Sequence, residues 1–395
     1  MDRRTFMTAT CATGIGVALN QTPQKETLHA HQSRAAAAAT TSEVIGDGEW
    51  IWTRPPMGVK GWLEPRKFEF RTRVEMRATG AVTQVTSTTA IPVELPEQRI
   101  DDVSINTVNC SARLRQVAPH AAQLVLHAPL LRPGATLVAE GVFQLTLQKQ
   151  FFDYQKDQFP AEQEFPKEFR KQYLYNSPGI HTRPTEVKDL AEKLGAGHQH
   201  PWDKAHAFKR WVWENIHSEK AMKYTGVVSA IRTGVGDCEE RACTFAALCR
   251  NHGIPTRTVW VPNHVWSEFC LRDEAGRAHW IPAHTSGYTW FGLTGAHELV
   301  MQKGDKVTSP DQRREMRFIH DWAKYTGPRP EIVYTAALHP LPSQQGADPG
   351  PGARLKRATG PWTAGEHELD KYLLNGDDVD KSPFKKFKPQ VEPWE

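Results

Sequence analysis

The sequence has no surplus of charge of either sign. Its 49 Lys and Arg stand against 45 Asp and Glu, a net +4 over 395 residues. That balance leaves no electrostatic footprint for nucleic acid or for a strongly acidic partner. Cysteine is scarce, with six in the whole chain: Cys11, Cys110, Cys238, Cys243, Cys249 and Cys270. None forms a CxxC pair, and no Cys/His cluster has zinc-finger spacing, so no metal site or resident cofactor is expected. Long apolar runs are missing as well. The segment from Thr8 to Leu19 is too short and too weakly apolar to span a membrane, and no other stretch approaches that length. Tryptophan is the exception, with 13 copies.

A chain of this length suggests two or three domains. Its start, Asp2-Arg3-Arg4-Thr5-Phe6-Met7, pairs two arginines with a following aromatic ahead of a mildly apolar stretch. This resembles a twin-arginine export signal, assigned to residues 1–39, with cleavage expected in the Ala35 to Ala39 run. The resemblance implies a bacterial protein delivered to the periplasm or cell envelope, with no membrane attachment once the signal is removed. Loss of Cys11 leaves five cysteines, so at least one thiol is unpaired even in an oxidising compartment.

Residues 40–64 read as a linker. Residues 65–150 read as a β-sandwich-like domain. Phe68, Phe70, Thr72, Val74 and Met76 alternate with polar residues, and later short apolar runs are bounded by Pro and Gly. No chemical constellation appears there. Residues 151–338 change to helical spacing. Candidate helices cover Phe165 to Tyr175, Glu186 to Leu194 with Thr185 as cap, and Trp202 to Ile216. A further helix runs from Cys238 to His252 and stops at Gly253. Strands are expected at Thr256 to Val261, His264 to Leu271 and His279 to Ile281. Helical or irregular segments follow to about Tyr325, and a short strand, Glu331 to Thr335, closes this domain. Residues 339–395 read as a largely disordered tail, with one helix candidate near His367.

The chemistry concentrates at Gly236-Asp237-Cys238-Glu239-Glu240-Arg241. A cysteine at a loop-to-helix junction lies in the field of unpaired helix N–H groups, which favours the thiolate. The preceding glycines permit a tight turn and close approach of a substrate. A histidine at the mouth of a nearby strand, His264, supplies the base that thiol catalysis needs. Cys243 and Cys249 follow within the helix and read as core.

Four blocks in order resemble the transglutaminase-like superfamily. They are Lys204 to Ile216; Gly236-Asp237-Cys238 with Phe245 to Arg250 and Gly253 to Arg257; His264-Val265-Trp266-Ser267-Glu268-Phe269; and Trp280-Ile281-Pro282. The resemblance covers about Trp202 to Gly292. It implies an α+β, papain-like fold, in which a helix carrying the nucleophile packs on an antiparallel sheet, preceded by the sandwich. It also implies a Cys-His-Asp triad, with Cys238 as nucleophile and His264 as base. The third position departs from the family: Trp280-Ile281-Pro282-Ala283-His284 places His284 where an aspartate is usual. A neutral imidazole can orient His264, but it stabilises an imidazolium less than a carboxylate does. Glu268 and Asp273 are conceivable substitutes. Oxyanion donors would be the Cys238 backbone N–H and, as a candidate, Tyr224. Asp237, Glu239 and Trp266 are candidates for the substrate rim, with Asp237, Glu239 and Glu240 solvated or selecting a cationic group.

The leading expectation is an exported cysteine enzyme that transfers acyl groups from amide or peptide substrates through a thioester. Water would make it a protease or amidase, and an amine would make it a transglutaminase. Cell-wall peptide is a substrate consistent with export. The alternatives are a binding or scaffold protein on the same fold, and a metal or redox site of Cys238, His264 and His284.

Overall fold

The computed structural model describes residues 61–342, apart from residues 153, 219–223, 287–290 and 295. The expected export signal, nearly all of the expected linker and residues 343–395, expected as a tail, lie outside the described residues.

Six strands come first: β1 (Gly61–Arg77), β2 (Val82–Ile91), β3 (Gln98–Val108), β4 (Ser111–Ala118), β5 (Ala121–Leu131) and β6 (Thr136–Phe151). Strand geometry sends alternate side chains to opposite faces. Phe68, Phe70, Thr72, Val74 and Met76 are accordingly all buried. Leu137, Phe143, Leu145 and Leu147 of β6 meet Val82, Val85, Leu124 and Leu126 from β2 and β5 in one apolar core.

The helices follow: α1 (Lys167–Tyr173), α2 (Thr185–Gly195) and α3 (Pro201–Asn215). Then come β7 (His217–Ser218), α4 (Val227–Thr233), β8 (Val235–Gly236), parallel to β7, and α5 (Cys238–Asn251). Three antiparallel strands succeed α5: β9 (Thr256–Val261), β10 (His264–Arg272) and β11 (Ala278–Ala283). Ala205, Phe208 and Val212 of α3, with Ile216 just after it, pack with Phe245, Leu248 and Cys249 of α5 and with Phe269 and Leu271 of β10. The α+β architecture, a helix with a cysteine at its head packed on an antiparallel sheet, is the one expected.

The last described strands are β12 (Leu293–Thr294), β13 (Gln302–Lys303), β14 (Val307–Ser309), β15 (Arg314–Met316), β16 (Trp322–Thr326) and β17 (Glu331–Pro340). One sheet has the order β12-β6-β1-β17, with β3 also on β6. The other runs β11-β10-β9-β13-β5-β2-β16, with β4 also on β5. β13 is the bridge, since Gln302 pairs with Ala121 of β5 and with Trp260 of β9. The sheet under α5 is therefore a continuation of a sandwich sheet.

Three local expectations change. The region from Leu293 to Thr326 holds short strands and, among the described residues, no helix. Its backbone is held by side chains that replace periodic partners. The Gln302 amide donates to the carbonyls of Gly304 and Arg317, at 2.8 Å each, and accepts from the Ile319 N–H at 3.0 Å. The strand expected at Glu331 to Thr335 is longer and pairs with β1, from Arg77 opposite Glu331 to Phe68 opposite Pro340. It closes the sandwich, because β1 would otherwise present an open edge. Thr185 is the first helical residue of α2, and Pro184 occupies the cap position. The helix α4 was not anticipated. It has only seven residues, too few for a helical period to stand out.

Candidate active site

The start of α5 is built by its own sequence. The Asp237 carboxylate accepts from the Glu239 N–H at 2.8 Å, and the Glu240 carboxylate accepts from the Asp237 N–H at 3.0 Å. This reciprocal pair is a capping box, which satisfies helix-end donors that would otherwise be orphaned. Glu240 also accepts from the Thr225 N–H at 2.6 Å. Gly236 is required by the close approach, since a Cβ there would lie 2.6 Å from the Glu240 Cβ. Burial works to raise the Glu240 carboxyl, but hydrogen bonds from Asp237 and Thr225 outweigh it and hold the group below its ordinary value.

Cys238 is the first residue of the helix and is half-buried. With Phe318 it packs against Ala242, Trp260 and Val265. The strand carrying His264 meets the helix here, and the Ser267 hydroxyl donates to the Ala242 carbonyl at 3.1 Å. His264 opens β10 after a two-residue turn, Pro262-Asn263, with Asn263 in the left-handed region at φ 59°. Asparagine tolerates that conformation better than most residues.

His264 is buried. Burial, and after it the positive charge of Arg241, lowers its pKa to about 3, so the imidazole is neutral at rest. The Arg241 charge acts on Cys238 as well. Its guanidinium lies over the Trp213 ring, 4.9 Å from the centroid, and donates to the Trp213 carbonyl at 3.2 Å. Among the described residues no carboxylate comes within ion-pair distance of Arg241. Cys238 and His264 thus share one cation. The sequence reading did not single it out, although a residue three positions after Cys238 projects from the same face of a helix.

His284 is fully buried beside them. Its ring is nearly parallel to that of His264, at 6° with centroids 6.2 Å apart, and it stacks on Trp266 at 4.5 Å. Burial drives its pKa well down, and the charges of His264 and Lys209 add to this. Its Nε2 lies 3.7 Å from Oε1 of Glu298, a buried carboxyl absent from the sequence reading. Glu298 sits between two short strands with no periodicity around it, so nothing local marked it.

Several expected roles are corrected by the contacts. Trp266 is not a rim residue: it is fully buried and belongs to the sandwich core. Glu239 is not solvated, because it is buried in an ion pair with Arg317. Asp237 and Glu240 are used by the cap rather than offered to a cationic group. The Tyr224 hydroxyl, expected as an oxyanion donor, has other partners. That hydroxyl donates to the Gly179 carbonyl and lies against Cys243, and Arg317 covers the ring at 4.5 Å. Glu268 and Asp273 are committed elsewhere. Glu268 pairs with Arg257 at 2.6 Å and Lys303 at 2.8 Å; Asp273 pairs with Arg277 at 2.6 Å and His279 at 3.0 Å. None of the five cysteines of the described region is in a disulfide, and Cys243, Cys249 and Cys270 are buried. No group of three or more His, Cys, Asp or Glu among the described residues is arranged to hold a metal.

Comparison with known proteins places this arrangement. Residues 188–291 match the model of the Transglutaminase-like superfamily. No curated protein matches the chain. A solved structure named "putative cysteine protease" from Cytophaga hutchinsonii aligns with a TM-score of 0.50 and 15% identity, over 73% of this chain and 95% of that one. At that identity the likeness concerns the fold. A "putative protease" from Parabacteroides distasonis aligns with a TM-score of 0.23 and 11% identity, over 62% of this chain and 49% of that one, and adds nothing to the argument. A capped helix headed by cysteine and a following strand headed by histidine both lie within residues 188–291, the region that matches the transglutaminase-like superfamily.

Proposed function

We propose that the protein performs cysteine-dependent acyl transfer on amide or peptide bonds, with hydrolysis favoured over transamidation. The observation that carries this reading is the half-buried Cys238 at a capped helix start, sharing the field of Arg241 with His264. The Cys238 sulfur attacks the amide carbonyl while His264 takes the thiol proton. The carbonyl oxygen gathers negative charge, which the backbone N–H of Cys238 and the helix N-terminus favour. Collapse breaks the C–N bond, and the leaving amine takes the proton back from His264. Water then attacks the thioester with His264 again as base, releasing the acid and restoring the thiol. Because the resting imidazole is neutral, His264 acts at the moment of attack and not as one half of a standing ion pair.

The name given to the Cytophaga hutchinsonii structure is consistent with hydrolysis. The twin-arginine pattern supports action in the periplasm or cell envelope, where cell-wall peptides are the substrate class at hand. A scaffold reading has one observation of its own, the histidine at the position where a carboxylate normally supports the base. The test is a panel of peptide amides, cell-wall peptides included, with the reaction stopped in acid and the protein mass-mapped for an acyl adduct at Cys238. An adduct that Cys238→Ala abolishes supports the enzyme. No adduct, together with a Cys238 that reacts with iodoacetamide no faster than Cys110, would replace it with the scaffold.

A further inference from the structure

We propose that Glu298 is the positioning residue that replaces the missing triad carboxylate, acting on His264 through His284. The proposal rests on the acyl-transfer reading above. The superfamily's third position holds a histidine here, and a histidine alone is a weak support for an imidazolium. Behind that histidine lies a carboxyl group that is itself almost wholly buried, with side-chain exposure of 4% and Oε1 3.7 Å from His284 Nε2. Neither carboxyl oxygen of Glu298 has a hydrogen-bond partner among the described residues. A buried carboxyl so placed is costly unless it has a task.

The surrounding charges define that task. Glu298 faces Lys303 of β13, Glu97 from the β2–β3 connection, and Glu268 of β10. Lys303 already binds Glu97 at 2.6 Å and Glu268 at 2.8 Å, and Glu268 also binds Arg257 at 2.6 Å. Two cations and two carboxylates cancel there, so an ionised Glu298 is a surplus negative charge. On its other side are His284 and, beyond it, His264, with Lys209 and Arg241 as the nearby cations. The surplus charge is matched when His264 becomes an imidazolium, which is the moment when the triad aspartate acts in its relatives' arrangement. Burial raises the Glu298 carboxyl well above its ordinary value. Once ionised, the carboxylate, 3.7 Å from His284 Nε2, fixes the His284 tautomer and supports His264. The device therefore adds an ionisation to the rate profile, with Cys238 more reactive on its alkaline side.

The experiment is iodoacetamide alkylation of the full chain across pH, read at Cys238 by peptide mapping with Cys110 as internal reference. Wild type should show the extra limb. Glu298→Gln should lose it and slow Cys238 about tenfold on the alkaline side of that limb, the effect of withdrawing one nearby opposite charge. Glu298→Asp should restore most of it. A Glu298→Gln profile equal to wild type, while His264→Ala slows alkylation, overturns the proposal and leaves the acyl-transfer reading standing. Equal alkylation of wild type and His264→Ala overturns that reading, and the proposal falls with it. If Glu298→Gln fails to fold by circular dichroism, His284→Asp supplies the readout. A direct carboxylate at 284 should abolish the dependence on the limb, and a limb unchanged in that variant overturns the proposal.

Discussion

The sandwich and the region that β13 joins to it bury their interiors in opposite ways. Between β1, β2, β5 and β6 the interior is apolar almost throughout, with Phe68, Phe70, Val74, Met76, Phe143 and Leu145 in contact. Along β9, β10 and β13 the buried side chains include Arg257, His264, Glu268, Lys303 and, just beyond, His284 and Glu298. The first half gains stability by removing apolar surface from water. The second half spends part of that stability on ionisable groups, each of which has to be matched by a partner. β13 connects them, so the rigid half holds the costly half in place. Functional sites are where a fold is expected to break its own burial rules.

That contrast can be broken from either side. The largest effect is expected from Arg257→Met, which leaves Glu268 with Lys303 alone in a buried site. Removing one partner of a buried pair typically costs about 3–5 kcal/mol, and denaturant melts should show it. Replacing Arg257 and Glu268 together by apolar residues should recover much of the loss, whereas additive losses would mean that the pair itself contributes net stability. Phe143→Ala in the sandwich should cost about 3–5 kcal/mol through lost burial and a cavity. It should leave the pH dependence of Cys238 alkylation unchanged. A shifted alkylation profile in that variant would show that the two halves are coupled beyond simple support.

Acid separates them further. His120 and His264 each have a folded pKa of about 3 against an ordinary value of 6.5. The unfolded chain therefore binds more protons than the folded one between those values. Stability is full above about pH 6.5 and falls as pH drops toward 3. Glu268, lowered to about 2 from 4.5, extends the loss in the same direction, because its contribution is present above pH 4.5 and is lost as pH falls through 2. Glu298, raised by burial, has the opposite sign and costs stability as pH rises. Thermal melts from pH 7 to 4 should fall, and His120→Gln should flatten the slope; an unchanged slope would remove His120 from the account. The smallest effect is expected from Asp237→Ala, the helix cap, at about 1 kcal/mol. A chemical melt reads it, and a loss of 3 kcal/mol or more would mean that the cap holds the loop before α5 as well as the helix.

Much of this was legible along the chain. The alternation from Phe68 to Met76 reports one buried face of β1, and the helix Cys238–Asn251 lies between its own cap and the glycine beyond its end, Gly253, at φ 71°. Cys238 and His264 stand out because each opens an element. The acidic cluster was misread because its partners are distant. Asp237 and Glu240 bind each other, three residues apart, but Glu239 is neutralised by Arg317, 78 residues away. Trp266 is misassigned for a different reason: β10 is buried on both faces, and alternation carries no information there.

The sequence by itself determined the periodic elements, the helix start that presents Cys238, the turn that presents His264 and the departure at position 284. These depend on neighbours within a few residues, where backbone sterics and capping act. Only the tertiary structure decided that β17 closes the sandwich, that Arg317 silences Glu239, and that Glu298 stands behind His284. Those outcomes depend on which distant charges are brought together out of water, and a linear pattern does not encode the distance between them.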